Sequence, residues 1–498
     1  MKVHLVALFL ILITGRTYAA DYEMNKSCLQ AYDYILSLKF KKAEDLLIIE
    51  SKTHPDNRIV SYLRNYAGFL EVIISEDNQR YKSFSEENQR LLIHVESGDI
   101  NSPWHLYSQA QLNLQYAFAS LRFGDYTNGA IAMNKAYRLL TKNETLYPEF
   151  RPNHLALGLL QVLIGSIPIN YQWVTKILSI HGTVEQGIRN MQQTLLDHQT
   201  DLSYPFLKTE SIFLLTFTTF NLAENPDQTT DTEHFWDDPH NQELIKGNPL
   251  LIYAKSVFLM HTDRNDKALA TLLSAPQSKD YYPFYYLQYL TGLAKLNRMD
   301  NDADVWFLRY VNHYKGNSFI KSAYQRLAWI SLLKADTNGY INYMKRVQLF
   351  GNTYIDGDKQ AEKEAQTSRI PNALLIKARL LSDGGYYARA DKILKYLDKN
   401  QFRNDYEKLE YLYRISRNNH KWGKLNSAKI EYAKTILLGE KQKWYFAANS
   451  ALQLGIIYEN EGNNAKARQY YKKCLSMNYD EYRTGISQKA KAGLERVK

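Results

Sequence analysis

The side chains best suited to chemistry crowd one polar stretch. Asp231, Glu233, His234, Asp237, Asp238 and His240 place carboxylates and imidazoles within a few positions of one another. Such groups can ligate a divalent cation, and a histidine beside an aspartate can move protons. Their spacing matches no metal-binding motif, and a solvated loop between helical units accounts for them equally well. His154 and His181 flank an apolar stretch, where a lone imidazole ordinarily bonds to local backbone rather than to a metal. The two cysteines, Cys28 and Cys474, stand near opposite ends of the chain and make neither a disulfide framework nor a metal cluster. Joining them would require those ends to meet within the short reach of a disulfide. The sequence has no phosphate-binding glycine loop, nucleophile elbow, paired-cysteine zinc site or HExxH, and Gly384-Gly385 reads as a turn. The expectation is a chain without catalysis, metal or cofactor.

The elements that must position any functional side chain are helices. Only 12 prolines occur in 498 residues, which favours long helices over many tight turns. Residues 454–474 read LGIIYENEGNNAKARQYYKKC, with Leu454-Gly455, Tyr458, Gly462, Ala467, Tyr471 and Cys474 at the spacing of one antiparallel helix pair. Gly455 and Ala467 are small where the two helices cross, Tyr458 and Tyr471 fill the space beside the crossing, and Gly462 ends the first helix in a left-handed turn. Cys474 reads as a small packing residue. The frame recurs as Leu412, Ile415, Ser416, Gly423, Ala428 and Tyr432, and as Leu374, Ala378, Leu381, Gly385, Ala390, Leu394 and Leu397. Weaker copies run through Ile252, Ser256, Leu259, Ala268 and Leu272, through Ala31, Tyr34, Ala43 and Leu47, and through Ala117, Gly124, Gly129, Met133 and Ala136.

This pattern resembles the tetratricopeptide repeat, and the resemblance implies an all-α solenoid of antiparallel helix pairs. In such a solenoid the first helix of each pair lines the concave face. Extending the C-terminal frame puts Asn372, Arg379, Tyr413, Arg417, His420, Lys421, Asn449 and Asn460 on that face. Arg379, Arg417 and Lys421 would make it locally basic, fit for an acidic or C-terminal peptide through charge-assisted hydrogen bonds. The expected partner is a protein or peptide of unspecified identity. Nucleic acid is not expected, because the +10 net charge is spread among interleaved acids and bases rather than gathered in runs.

Residues 222–249 carry three prolines and read as a polar loop, and residues 351–371 read as a linker ending at Pro371. The expected order is therefore a leader at 1–19, irregular helical repeats at 20–221, the loop, central repeats at 250–350, the linker, and C-terminal repeats at 372–498. The leader, MKVHLVALFLILITGRTYA, joins a positive start to a short apolar run and a small-residue cleavage site after Ala19, with Ala20 the alternative. It predicts export, to the periplasm if the source has two membranes. In a eukaryotic secretory pathway Asn25 and Asn143 would open glycan acceptor sites.

Residues 155–188, LALGLLQVLIGSIPINYQWVTKILSIHGTVEQGI, depart from the frame. Together with 374–394 and 478–497 they resemble the eukaryotic repeat family that includes the inclusion-body clearance protein. That resemblance implies common architecture over much of the chain and a membrane-proximal scaffold, and it brings no catalytic residues. With the net positive charge, the apolar segment 155–188 also motivates a second expectation, peripheral association with a membrane surface or a hydrophobic ligand.

Overall fold

The computed structural model describes residues 21–167, 180–197, 204, 206–222, 230–367, 369–398 and 402–497. The leader at 1–19 lies outside these residues, as do 168–179 within the apolar segment. Among the described residues all regular structure is helical, and the helices pack as sequential antiparallel pairs. The pairs run from Lys26–Leu36 with Phe40–Thr53 to Phe446–Asn460 with Asn464–Ser476, and Arg483–Arg496 covers the last of them.

The small-residue frame does what packing requires of it. Ala390, Ala428 and Ala467 are each fully buried at the crossing of their pair. A Cβ on Gly455 would come within 2.5 Å of the Tyr471 ring. Gly385, Gly423 and Gly462 have φ of +82°, +77° and +73° and end the first helices of three successive pairs, a conformation that costs a glycine little. Cys474 and Cys28 are both buried free thiols, and burial raises each to about 12.

The two helices of a pair are not equivalent. In Ile320–Leu333 every residue except Arg326 and Leu333 is buried, whereas its mate Thr337–Leu349 buries only Tyr340, Met344 and Val347. Phe446–Asn460 and Asn464–Ser476 differ in the same way. First helices of successive pairs also touch each other, as Asp405–Lys421 touches both Ala373–Asp383 and Phe446–Asn460. First helices thus form an inner layer packed on several sides, and second helices form an outer layer with one buried stripe.

Two stretches expected to be irregular contain helices. Within 222–249, Thr230–Asp237 is helical, because Phe235 and Trp236 supply enough apolar surface to dock it, and the Trp236 Nε1 donates to Thr216 Oγ1 at 3.2 Å. Within 351–371, Asp356–Ala365 is a helix laid against the pair Ile320–Leu333 and Thr337–Leu349. Its Asp358 accepts the Phe319 and Ser322 backbone N–H groups at 2.7 and 2.8 Å, capping Ile320–Leu333 from outside its own chain segment.

The coil closes on itself over long sequence separations. Tyr282 N–H donates to Leu38 O at 2.7 Å, Asn317 N–H donates to a Glu76 carboxylate oxygen at 2.9 Å, and Lys421 Nζ donates to Asp263 Oδ1 at 2.8 Å. Helix pairs distant in sequence therefore meet edge to edge.

Candidate functional site

The C-terminal inner layer is formed by Ile320–Leu333, Ala373–Asp383, Asp405–Lys421 and Phe446–Asn460. Four of the eight residues expected on its concave face carry structural duties. Asn372 is the N-cap of Ala373–Asp383, its side-chain oxygen accepting from Leu374 and Leu375 N–H at 3.0 and 3.3 Å. Tyr413 is buried, because the next inner helix packs across it, and its hydroxyl accepts from Asn449 Nδ2 at 2.6 Å. His420 is half-buried with Nδ1 3.3 Å from the Tyr432 hydroxyl. Burial, then Arg417 and Lys421, push its imidazole below the ordinary histidine range, so it is neutral at pH 7.

The cations do gather, and neighbouring acids partly neutralise them. Asp383 sits between Arg379 Nε at 3.6 Å and Arg417 Nη2 at 3.4 Å. Burial opposes its charge, yet Arg417, Arg379, Arg414 and Lys421 hold its carboxyl below the usual aspartate range. Lys421 is taken by Asp263, a residue of the preceding turn of the coil. Asn460 stands exposed at the end of its helix, about three turns beyond Asn449, and does not join the cluster.

Residues absent from the sequence expectation lie in the same layer, most of them buried. Arg414 and Glu410 form a buried pair, with Arg414 Nη2 donating to Glu410 Oε1 at 2.7 Å. Arg326 and Trp329 project from Ile320–Leu333, and the guanidinium groups of Arg326 and Arg379 lie over the Trp329 ring. Extending the C-terminal frame one pair further upstream would have reached Arg326 and Trp329, which stand three positions apart on one helical face.

The acidic and imidazole stretch behaves differently. Glu233, His234, Asp237 and Asp238 line an open surface hollow. Arg264 Nη1 donates to Asp237 at 3.1 Å and approaches Glu233. Among the described residues no three His, Cys, Asp or Glu side chains converge on a point; the side chains of Asp231 and His240 lie outside them. His154 bonds locally, with Nε2 3.1 Å from Pro148 O and 3.1 Å from Glu144.

The described part of the apolar segment 155–188 is spent on packing. In Arg151–Gly165 the residues Leu155, Ala156, Leu159, Leu160, Val162 and Ile164 are buried. Gly158 and Gly187 bring that helix and Val184–Asp197 so close that a Cβ on Gly187 would lie 2.3 Å from Gly158 O. Among the described residues no helix is long and apolar enough to cross a membrane.

No family model matches the sequence, and no curated protein matches it. Among solved structures the chain is similar to one in the crystal structure of the APC/C hetero-tetramer Cut9–Hcn1, at 12% identity over 95% of this chain and 97% of that one, with a TM-score of 0.23.

Proposed function

We propose that the chain is a non-catalytic scaffold that binds a protein partner along the concave face of its C-terminal inner helices. The observation that carries this reading is the composition of that layer. Its helices are buried on several sides, yet they hold Arg326, Arg379, Arg414, Arg417 and Tyr413 where packing alone would favour aliphatic residues. Polar and aromatic side chains on a rigid concave surface are the means by which helical repeats hold extended segments. A photo-crosslinker replacing His420, with a control replacing Leu437 on the outer helix Leu425–Gly439, tests it in the native cell envelope. A discrete protein captured from position 420 alone is the expected result. Equal capture from both positions, or none from 420, would overturn it.

Export belongs to the same proposal. The mature N-terminus should be Ala20 or Asp21 by N-terminal sequencing of the chain recovered from its native compartment; a retained Met1 would sink it.

A membrane-surface role is a second reading, favoured now by a different observation than the apolar segment. Ile430, Leu437 and Leu438 are exposed on one face of Leu425–Gly439, with Leu437 75% exposed; Lys434 lies on the same helix, paired with Glu431, and the exposed Lys441 and Lys443 follow its end. Exposed apolar side chains with lysines close in sequence suit an anionic headgroup layer. Flotation with phosphatidylserine vesicles should carry the chain upward at low salt, and Leu437→Ser with Leu438→Ser should abolish this.

A further inference from the structure

Two inner helices bring two guanidinium groups onto one indole. Arg326 lies one turn before Trp329 on Ile320–Leu333, and its guanidinium carbon is 4.1 Å from the centre of the Trp329 ring system; that of Arg379, on Ala373–Asp383, is 5.0 Å away. The ring is a fixed platform, because Trp329 is buried and its Nε1 donates to Glu364 Oε1 at 2.8 Å. Stacking on an aromatic face satisfies the flat side of a guanidinium and leaves its rim of N–H donors for an anion.

Charge on this platform is out of balance. Arg326 Nη1 donates to Gln325 Oε1, a neutral acceptor, at 2.6 Å. Its Nε is shielded from solvent without an acceptor. Glu364, on the neighbouring helix, already has both oxygens engaged, Oε2 by Gln325 Nε2 at 2.6 Å and Oε1 by Trp329 and by the Tyr340 hydroxyl at 3.1 Å. Asp383 is divided between Arg379 and Arg417. Arg326, Arg379 and Arg417 thus stand near two carboxylates, Asp383 and Glu364, and among the described residues Arg326 makes a direct ion pair with neither. Burial, reinforced by the nearby Arg379 and opposed by Tyr289, Glu364 and Asp383, pushes the Arg326 guanidinium below its ordinary range, a cost that a bound anion would further relieve.

We infer that Arg326 and Arg379, stacked on Trp329, form an anion subsite of the concave face that takes a carboxylate side chain from an acidic segment of the partner. The inference rests on the reading that this face holds a polypeptide. A peptide carboxylate fits better than a free phosphate because the cations continue along the layer to Arg417. Neighbouring helices pack roughly 8–10 Å apart, and an extended chain advances about 3.3 Å per residue. An acidic residue at every third position would therefore meet one inner helix after another, whereas a lone phosphate engages one.

The test uses the full mature chain and fluorescein-labelled hexaglutamate, read by fluorescence anisotropy. Wild type should bind in a salt-sensitive manner, and hexaglutamine should not bind. Arg379→Gln should weaken binding about tenfold, the equivalent of one lost charge-assisted contact. Arg326→Gln should act similarly. Because that residue is partly buried, Arg326→Lys, which keeps the charge but loses the planar fork, serves as the folded second variant and should remain several-fold weaker than wild type. Arg90→Gln, on the outer helix Asn78–Glu96, should change nothing. Hexaglutamate failing to bind wild type, or binding Arg379→Gln as tightly as wild type, would overturn the inference. Inorganic phosphate displacing the peptide at equal concentration would also overturn it, reassigning the pair to a free-anion site. A partner still crosslinked at position 420 after such a failure would leave the scaffold reading standing and remove only this subsite.

Discussion

The inner helices of the N-terminal half and those of the C-terminal half share one architecture and line it with opposite chemistry. In the N-terminal half the buried polar groups are mostly neutral and satisfy each other. Asn65 Nδ2 donates to Gln115 Oε1 at 2.6 Å, Asn88 Nδ2 to Asn65 Oδ1 at 2.9 Å, and Gln111 Nε2 to the Tyr107 hydroxyl at 2.8 Å. The buried Glu210 accepts the hydroxyls of Tyr32 and Tyr66. In the C-terminal half the layer carries arginines that outnumber their carboxylates. A closed network of amides and hydroxyls stiffens a layer and offers little to a ligand. A surplus of one charge is a standing demand for a partner. The difference teaches that in this solenoid the same structural position serves cohesion at one end and, under the scaffold reading proposed above, recognition at the other.

Removing the centre of the N-terminal network should have the largest effect. Glu210→Leu leaves two tyrosine hydroxyls buried without an acceptor, and a loss of about 3–5 kcal/mol is expected, measured by denaturant unfolding. The pH dependence sharpens this. Burial raises the Glu210 carboxyl above its ordinary value, against the tyrosine hydrogen bonds that lower it. A folded value above the unfolded one means that its proton-linked stability is full below the unfolded value and is lost as pH rises through the folded one. Glu210→Gln should remove that slope, and an unchanged slope would show that another group carries it.

Next in size is the glycine crossing that holds the apolar helix in the N-terminal half. Gly187→Ala would drive a Cβ against the Gly158 backbone oxygen, which cannot yield as a side chain would. About 2–3 kcal/mol of destabilisation is expected by thermal melting, with anion binding at the C-terminal face unaltered in the folded fraction. A selective loss of hexaglutamate binding in the folded fraction would mean that the two halves are coupled.

Asp383→Asn should behave in the opposite sense. Its side chain is 32% exposed, so stability should change by less than about 1 kcal/mol. Freed from their shared carboxylate, Arg379 and Arg417 should bind hexaglutamate several-fold more tightly. Weaker binding would mean that Asp383 orients the arginines instead of competing for them. The smallest effect concerns the thiols. With Cys28 and Cys474 both buried and held near 12, dithionitrobenzoate should label neither until the chain is unfolded; rapid labelling of Cys474 alone would show the C-terminal pair opening by itself.

Much of the C-terminal fold was legible because its determinants are local. The fully buried Ala390, Ala428 and Ala467, and the positive-φ glycines Gly385, Gly423 and Gly462, fix where helices cross and stop within one pair, whatever surrounds it. Helices Thr230–Asp237 and Asp356–Ala365 were missed because few apolar residues mark them. Phe235 and Trp236 suffice for the first, and Ala361 with the capping carboxylate of Asp358 for the second, only because a surface stands ready to receive them. In the site, the frame drew Arg379, Arg417 and Lys421 to one face but could not see their pairing. Asp263 reaches Lys421 from the preceding turn of the coil, and Asn372, Tyr413 and Asn449 are drawn into capping and packing.

The sequence by itself determined that this chain would be a series of antiparallel helix pairs, because crossing, capping and termination are contacts between residues close along the chain. Only the tertiary structure decided which charges are spent and which are left over. The placement of Arg326 beside Arg379 on Trp329, and of Asp263 beside Lys421, follows from how successive pairs stack and how the coil returns upon itself, and no local periodicity encodes that geometry.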